Sequence, residues 1–252
     1  MTRRALVTGG ASGLSAGIAA ALAADGFERV AITYRASKPA ATIAEIERAG
    51  AAASATQIDF SDDSDAIAAA LARLVDEAGP FDTLVHGVGE LTVKRFVNLT
   101  RDDYTRLFDA NVRSAVLACA AVLPAMRTAH FGRIVVFGGN GSSETRPYRG
   151  FSFYQASKSA LVAFARALAV EEAEHGITVN AIEPGDIRDK TQSREAARSQ
   201  PSPIPRGRPG SYEDVADVVR FLIAPERDFI TGAVIGVTGG LMEADGRNAH
   251  HS

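Results

Sequence analysis

The chain has no tryptophan, one cysteine and three methionines in 252 residues, and aromatics make up only 7%. So few large flat side chains suit closely packed helices on a sheet better than a β-sandwich. One cysteine excludes an intrachain disulfide framework and suits a reducing cytosol. Cys119 lies in the apolar run "AVLACAAVL", the setting of a small buried core residue. Neither sign of charge dominates: 27 Lys and Arg face 30 Asp and Glu, for a net charge of −3. No basic block exceeds a few residues, which argues against nucleic acid and against an anionic membrane as partners. No apolar run reaches the length of a membrane span, and "MTRRALVTGG" enters a strand without a signal-peptide core. The expectation is a cytoplasmic protein.

Alanine and glycine are abundant, and their placement is ordered. Short runs rich in Val and Ile recur at Ala5–Thr8, Arg29–Tyr34, Ala53–Asp59, Thr83–Gly87, Arg133–Phe137, Thr178–Ile182 and Ala233–Val237. Between them, Ala16–Asp25, Ser64–Ala78, Arg101–Thr128 and Tyr154–His175 carry helical spacing. Strands alternating with helices predict right-handed crossovers and an α/β fold with a doubly wound parallel sheet. The strands carry almost no charge, as burial on both faces requires. Without a linker, composition break or repeat, the chain reads as a single domain over residues 1–252. Gly185–Gly210, rich in Pro, Ser and Arg, has no clear period, and a loop this long is more often a lid than a neutral connection.

The first strand runs straight into "TGGASGLSAGIAAAL". A glycine turn between a strand and an alanine-rich helix aims free backbone N–H groups at the positive end of the helix dipole, which makes a pyrophosphate seat. Thr8-Gly9-x-x-x-Gly13-x-Ser15 resembles the cofactor fingerprint of the short-chain dehydrogenase/reductase family, a Rossmann-fold family, with Ser15 in place of a third glycine. At the end of the second predicted strand, "AITYRASK" offers Arg35, Ser37 and Lys38 and no acid. A guanidinium fork suits a 2′-phosphate, so the preferred cofactor is NADP(H). The resemblance further implies cofactor contacts from Gly9, Ser12, Gly13, Leu14, Asp59, Phe60, Gly87, Pro184, Gly185 and Ile187.

Tyr154 and Lys158 in "YQASK" are four apart on one face of a helix. A free tyrosine is too weakly acidic to be a good base at neutral pH, and a nearby ammonium is expected to lower its pKa. A proton can then pass between the phenol and a substrate oxygen while hydride moves at a nicotinamide. "LFDANVRSAV" sets Asn111 at the family's helix-kinking asparagine, which holds a relay water to the lysine. "GRPGSYEDVADVVRFL" and "FITGAVIGVTGG" match the family's closing helix and last strand. The resemblance spans nearly the whole chain, and the nearest subgroup looks like the 3-oxoacyl-acyl-carrier-protein reductases. It implies Tyr154, Lys158 and Asn111 as catalytic residues, with Tyr154 and Lys158 also touching the cofactor, and no metal.

Three departures stand against the pattern. In "VVFGGNGSS" the family's usual serine falls on Gly139, fifteen residues before Tyr154 and two more than the family's usual spacing. Either the longer loop folds back and offers Ser142, Ser143 or the Asn140 amide as a replacement donor, or the donor is gone, at a cost of roughly a hundred- to a thousandfold in turnover. "HGVG" replaces the family's "NNAG", with His86 expected to be structural. Asp189 stands where a threonine is common, with Thr191 close by.

Asn140–Phe153 and Asp186–Gly207 should line the substrate pocket, with Arg146, Arg149, Arg188, Arg194, Arg198 and Arg206 available for an anionic group. The expected activity is NADP(H)-dependent reduction of a ketone, a β-keto thioester or polyketide-like carbonyl that is carrier-protein- or CoA-linked, by a homotetramer. The alternatives are a non-catalytic NADP(H)-binding scaffold and a redox-neutral lyase or isomerase. The terminal pair His250 and His251 reads as a frayed tail.

Overall fold

Runs of Val, Ile and Ala that can be covered on both sides become strands: β1 (Arg4–Thr8), β2 (Arg29–Tyr34), β3 (Ala52–Gln57), β4 (Thr83–His86), β5 (Gly132–Phe137), β6 (Ile177–Pro184) and β7 (Val234–Val237). All pair in parallel in one sheet of order β3-β2-β1-β4-β5-β6-β7, in a computed structural model that describes residues 3–36 and 38–241. Ser37, His250 and His251 lie outside the described residues.

The helices are α1 (Gly13–Ala24), α2 (Ala40–Arg48), α3 (Ser64–Ala78), α4 (Arg101–Phe108), α5 (Ser114–Ala129), α6 (Ser152–Glu172), α7 (Arg194–Arg198) and α8 (Tyr212–Ile223). They cover both faces. Leu71, Leu74, Cys119, Val122, Leu161 and Ala165 pack α3, α5 and α6 on one side. Ile18, Leu22, Ile46, Val215 and Val219 pack α1, α2 and α8 on the other. This is a Rossmann-like, doubly wound single domain, as the alternation of elements predicts. Strand order reverses between β1 and β4, so the loops leaving their C-terminal ends diverge and open a crevice.

Two features correct the sequence reading. The segment read as one helix over Arg101–Thr128 is α4, a π-turn (Asp109–Arg113) and α5 in continuous succession. Arg101–Ala129 is thereby long and apolar enough, by length and composition alone, to cross a membrane, although no simple apolar run suggested it. Here Ala115, Ala118, Cys119 and Val122 are buried in the core against the sheet. Gly185–Gly210 is not structureless either. It contains α7 and is tied to α8 by Arg194–Asp214, Arg194–Asp217 and Arg208–Asp214 ion pairs.

Candidate active site

The phosphate loop is shaped by its neighbours. Gly9 takes φ +67 and Gly13 φ +60, a region that a side chain rarely tolerates. β2 holds the turn in place: Gly9 N donates to Thr33 Oγ1 at 3.0 Å and Gly10 N to the Thr33 carbonyl at 2.9 Å. Ser12 precedes α1 in extended conformation and makes no side-chain cap, and the first turn carries no acid. Such a helix start favours an anion.

Ser15 is buried because Gly87 makes room for it: a Cβ on Gly87 would overlap the Ser15 hydroxyl. The loss of one family glycine at 15 is thus matched by the gain of another at 87. His86 is buried between Thr8 Oγ1 (2.9 Å from Nδ1) and Ser114 Oγ (3.0 Å from Nε2). Ser114 Oγ donates to the Ala110 carbonyl at 2.6 Å, so it accepts from the ring. Burial, with the charge of Lys158, lowers His86 to about 3. This neutral imidazole ties β1 and β4 to the start of α5 and is no base.

Tyr154 and Lys158 come from the first turns of α6, and Asn111 from the π-turn, whose extra residue swings its amide inward. Asn111 is fully buried. Its Oδ1 accepts from Glu90 N at 2.9 Å, and its Nδ2 donates to the Glu90 carbonyl and to Ser157 Oγ, each at 3.0 Å. Lys158 Nζ donates to the Phe137 carbonyl at 2.8 Å, and burial, then Lys190, lowers it to about 8. Two glycines border the cluster. A Cβ on Gly89 would stand 2.9 Å from Asn111 Oδ1 and 3.1 Å from Lys158 Nζ. A Cβ on Gly139 would stand 3.2 Å from the Tyr154 hydroxyl and 3.4 Å from Lys158 Cγ. The Tyr154 phenol runs opposite to the sequence expectation. Burial, then the charge of Glu183, pushes it up to about 12.

Gly139 therefore faces the phenol, where the family usually has a hydroxyl. The loop does fold back, but Ser142 points elsewhere: its hydroxyl donates to Glu183 Oε1 at 2.8 Å and accepts from Gly139 N at 3.1 Å. Ser143 N also donates to Glu183, and the Asn140 amide reaches the Leu241 carbonyl at 3.4 Å. Sequence reasoning missed Glu183 altogether, because its partners lie some forty residues upstream.

At the adenine end, Arg35 is exposed beyond β2, and its charge acts on Asp59. Asp59 accepts from Ser61 N at 2.9 Å and Ser61 Oγ at 2.7 Å, which hold it below its ordinary value. The Phe60 ring sits in the core, edge-on to His86, so only its backbone remains for a ligand. Pro184 ends β6, Gly185 packs on Thr238, and Leu14 and Ile187 are half-buried beside the core. Lys190, which sequence reasoning passed over, reaches the phosphate loop: a Cβ on Gly13 would meet its Cβ at 3.4 Å. Thr191 donates to Asp189 at 2.6 Å. Of the arginines considered for an anionic substrate, Arg194 is tied to α8, Arg146 pairs with Glu144, and Arg188 pairs with Asp186. Among the described residues no metal-binding group of His, Cys, Asp and Glu gathers.

A parallel doubly wound sheet with a glycine phosphate loop and a Tyr-Lys-Asn cluster in its crevice defines a nucleotide-dependent oxidoreductase of the Rossmann type. Residues 9–242 match the family model described as Enoyl-(Acyl carrier protein) reductase. The chain belongs to the short-chain dehydrogenase/reductase family. It is 34% identical over 250 residues to an acetoacetyl-CoA reductase of Shinella zoogloeoides, covering 95% of this chain and 98% of that one. It is 31% identical over 246 residues to a 3-oxoacyl-(acyl-carrier-protein) reductase of Staphylococcus aureus, covering 96% and 98%. The crystal structure of acetoin dehydrogenase YohF from Salmonella typhimurium superimposes with a TM-score of 0.89 at 28% identity, covering 100% of this chain and 99% of that one.

Proposed function

We propose that the protein is an NADP(H)-dependent reductase of ketones, with a β-keto thioester or polyketide-like carbonyl as substrate. The carrying observation is the convergence of the Tyr154 hydroxyl, Lys158 Nζ and Asn111 Oδ1 around the glycine walls at 89 and 139. The cofactor fits the residues present. Gly9 and Gly13 form a cradle that side chains would fill, the start of α1 favours a diphosphate, and Arg35 suits a 2′-phosphate. Bound NADP(H) supplies hydride chemistry at the nicotinamide. Gly87, Pro184, Gly185 and Ile187 border that crevice, and Lys190 overlies its phosphate end.

Tyr154 holds its proton at neutral pH and gives it to the carbonyl oxygen as that oxygen gains charge. Lys158, one turn along α6, adds a buried cation to the cluster, and Asn111 fixes the backbone of Glu90. Gly139 leaves the substrate oxygen without the usual side-chain hydroxyl, so Tyr154 carries the stabilising hydrogen bond alone. The likeness to an acetoacetyl-CoA reductase and a 3-oxoacyl-(acyl-carrier-protein) reductase favours a thioester-linked substrate. We extend the reading to a cytoplasmic homotetramer.

The test is NADPH oxidation over β-keto thioesters, cyclic ketones and quinones, with NADH and Tyr154→Phe as controls. Turnover is expected to favour NADPH and to fall at least about a hundredfold in the variant. Tight NADPH binding with no turnover on any carbonyl would overturn the reductase reading in favour of a binding scaffold or a redox-neutral acid–base enzyme.

A further inference from the structure

Glu183 places a carboxylate at the C-terminal end of β6, a strand whose other residues are uncharged, and only 5% of it is exposed. A carboxylate stays in such a place only when its oxygens are bonded. Here three donors from one loop reach it: Gly141 N to Oε2 at 2.9 Å, Ser142 Oγ to Oε1 at 2.8 Å and Ser143 N to Oε1 at 2.6 Å. The hold is passed on in both directions. Ser142 Oγ accepts from Gly139 N at 3.1 Å, and the Ser142 carbonyl accepts from Ser159 Oγ of α6 at 2.7 Å. Gly138 completes the interlock, since a Cβ there would come within 2.9 Å of Ser142 Oγ and 3.1 Å of Glu183 Cγ. The stretch held in this way is the one that faces the Tyr154 hydroxyl across Gly139.

We propose that Glu183 is a positioning residue of the active site: its carboxylate fixes the Gly138–Ser143 loop beside Tyr154 and sets a negative charge behind the phenol. The kinetic consequence rests on the reductase reading; the structural one does not. Lys158 lies one turn along α6, with His86 and Lys190 close enough to share its field, and Glu144, Arg146 and Tyr148 belong to the loop itself. Glu144 and Arg146 pair with each other. Glu183 is the charge that, after burial, raises the phenol.

The experiment compares wild type with Glu183→Gln, whose amide keeps the shape, loses the charge and sets an NH2 against a backbone N–H. Amide hydrogen exchange at Gly141 and Ser143 is read without any substrate, and the pH profile of kcat/KM is read for oxidation of the product alcohol, which needs the phenolate. In Glu183→Gln those amides are expected to exchange at least about tenfold faster. The alkaline rise of the oxidation profile is expected to move down by about one pH unit. Ser142→Ala keeps the charge and cuts one link, so Gly139 N is expected to exchange faster while the profile stays in place.

Unchanged exchange and an unmoved profile in Glu183→Gln would overturn the proposal, and so would a profile that moves as far in Ser142→Ala. If Glu183→Gln does not fold, unaltered exchange at Gly139 in Ser142→Ala overturns it on its own. A wild type without turnover, whose loop amides nonetheless lose protection in Glu183→Gln, sinks the reductase reading and upholds the loop-fixing role.

Discussion

His86 shows how one residue can keep a position and change its liabilities. A neutral imidazole bonded at both nitrogens ties β1, β4 and α5 together, but it must stay neutral to do so. Its folded pKa of about 3 lies below the unfolded value of about 6.5. In the window between them the unfolded chain binds the extra proton. Stability is therefore complete above about pH 6.5 and falls as pH drops toward 3, by about 1.4 kcal/mol per pH unit. Chemical denaturation at pH 7.5 and pH 5 should show a loss of about 2 kcal/mol from this group, and His86→Asn should remove that slope. An equal slope in the variant would assign the acid sensitivity elsewhere. Cys119 carries no such liability: burial, then Glu172, pushes its thiol up to about 12, so it is inert at neutral pH.

Among the elements, the segment that follows β6 is anchored chiefly on Asp214. Asp214 accepts from Arg208 NH1 at 2.8 Å and NH2 at 2.9 Å, from Arg194 Nε at 2.9 Å, and from Ser211 at its own helix cap. Burial pushes its carboxyl up, but Arg208 and Ser211 outweigh that and hold it well below the usual range. Asp214→Asn should release this anchor, cost about 1–2 kcal/mol through the lost cap and charged bonds, and speed proteolytic cutting within 186–210 about tenfold. Cutting at the wild-type rate would show that the segment is held by other contacts.

The inner strands were legible because both faces are covered, so apolar runs mark them to within a residue or two, as in β2 and β5. Ser64–Ala78 was legible as α3 because Asp63 caps it and its apolar spacing is regular. By contrast α2 is short and mostly exposed, and α7 lies inside a Pro- and Arg-rich stretch, so neither shows a clear period. The Tyr154 and Lys158 pair was readable from local spacing, and Asn111 only from the family resemblance. Glu183, Gly89 and Lys190 were not, since each matters only through residues distant in sequence.

For the molecule as a whole, the outer faces of α5 and α6 bear on assembly. Val116 on α5 is 38% exposed and Val170 on α6 is 79% exposed, both large apolar groups left open to solvent among the described residues. Pairing these faces across a twofold axis would cover them. The wild type is expected to run as a tetramer in light scattering, and Val170→Arg with Val116→Glu is expected to lower the state to a dimer or monomer without unfolding the chain. A double variant that remains tetrameric would place the interface on other surfaces.

The fit between Ser15 and Gly87 couples two positions that lie far apart in the sequence. A Cβ at 87 would overlap the Ser15 hydroxyl and stand 2.9 Å from the Thr8 carbonyl, so a side chain there must displace the serine or the end of β1. Changes at 15 and 87 are therefore not independent: what a larger residue costs at 87 depends on what stands at 15.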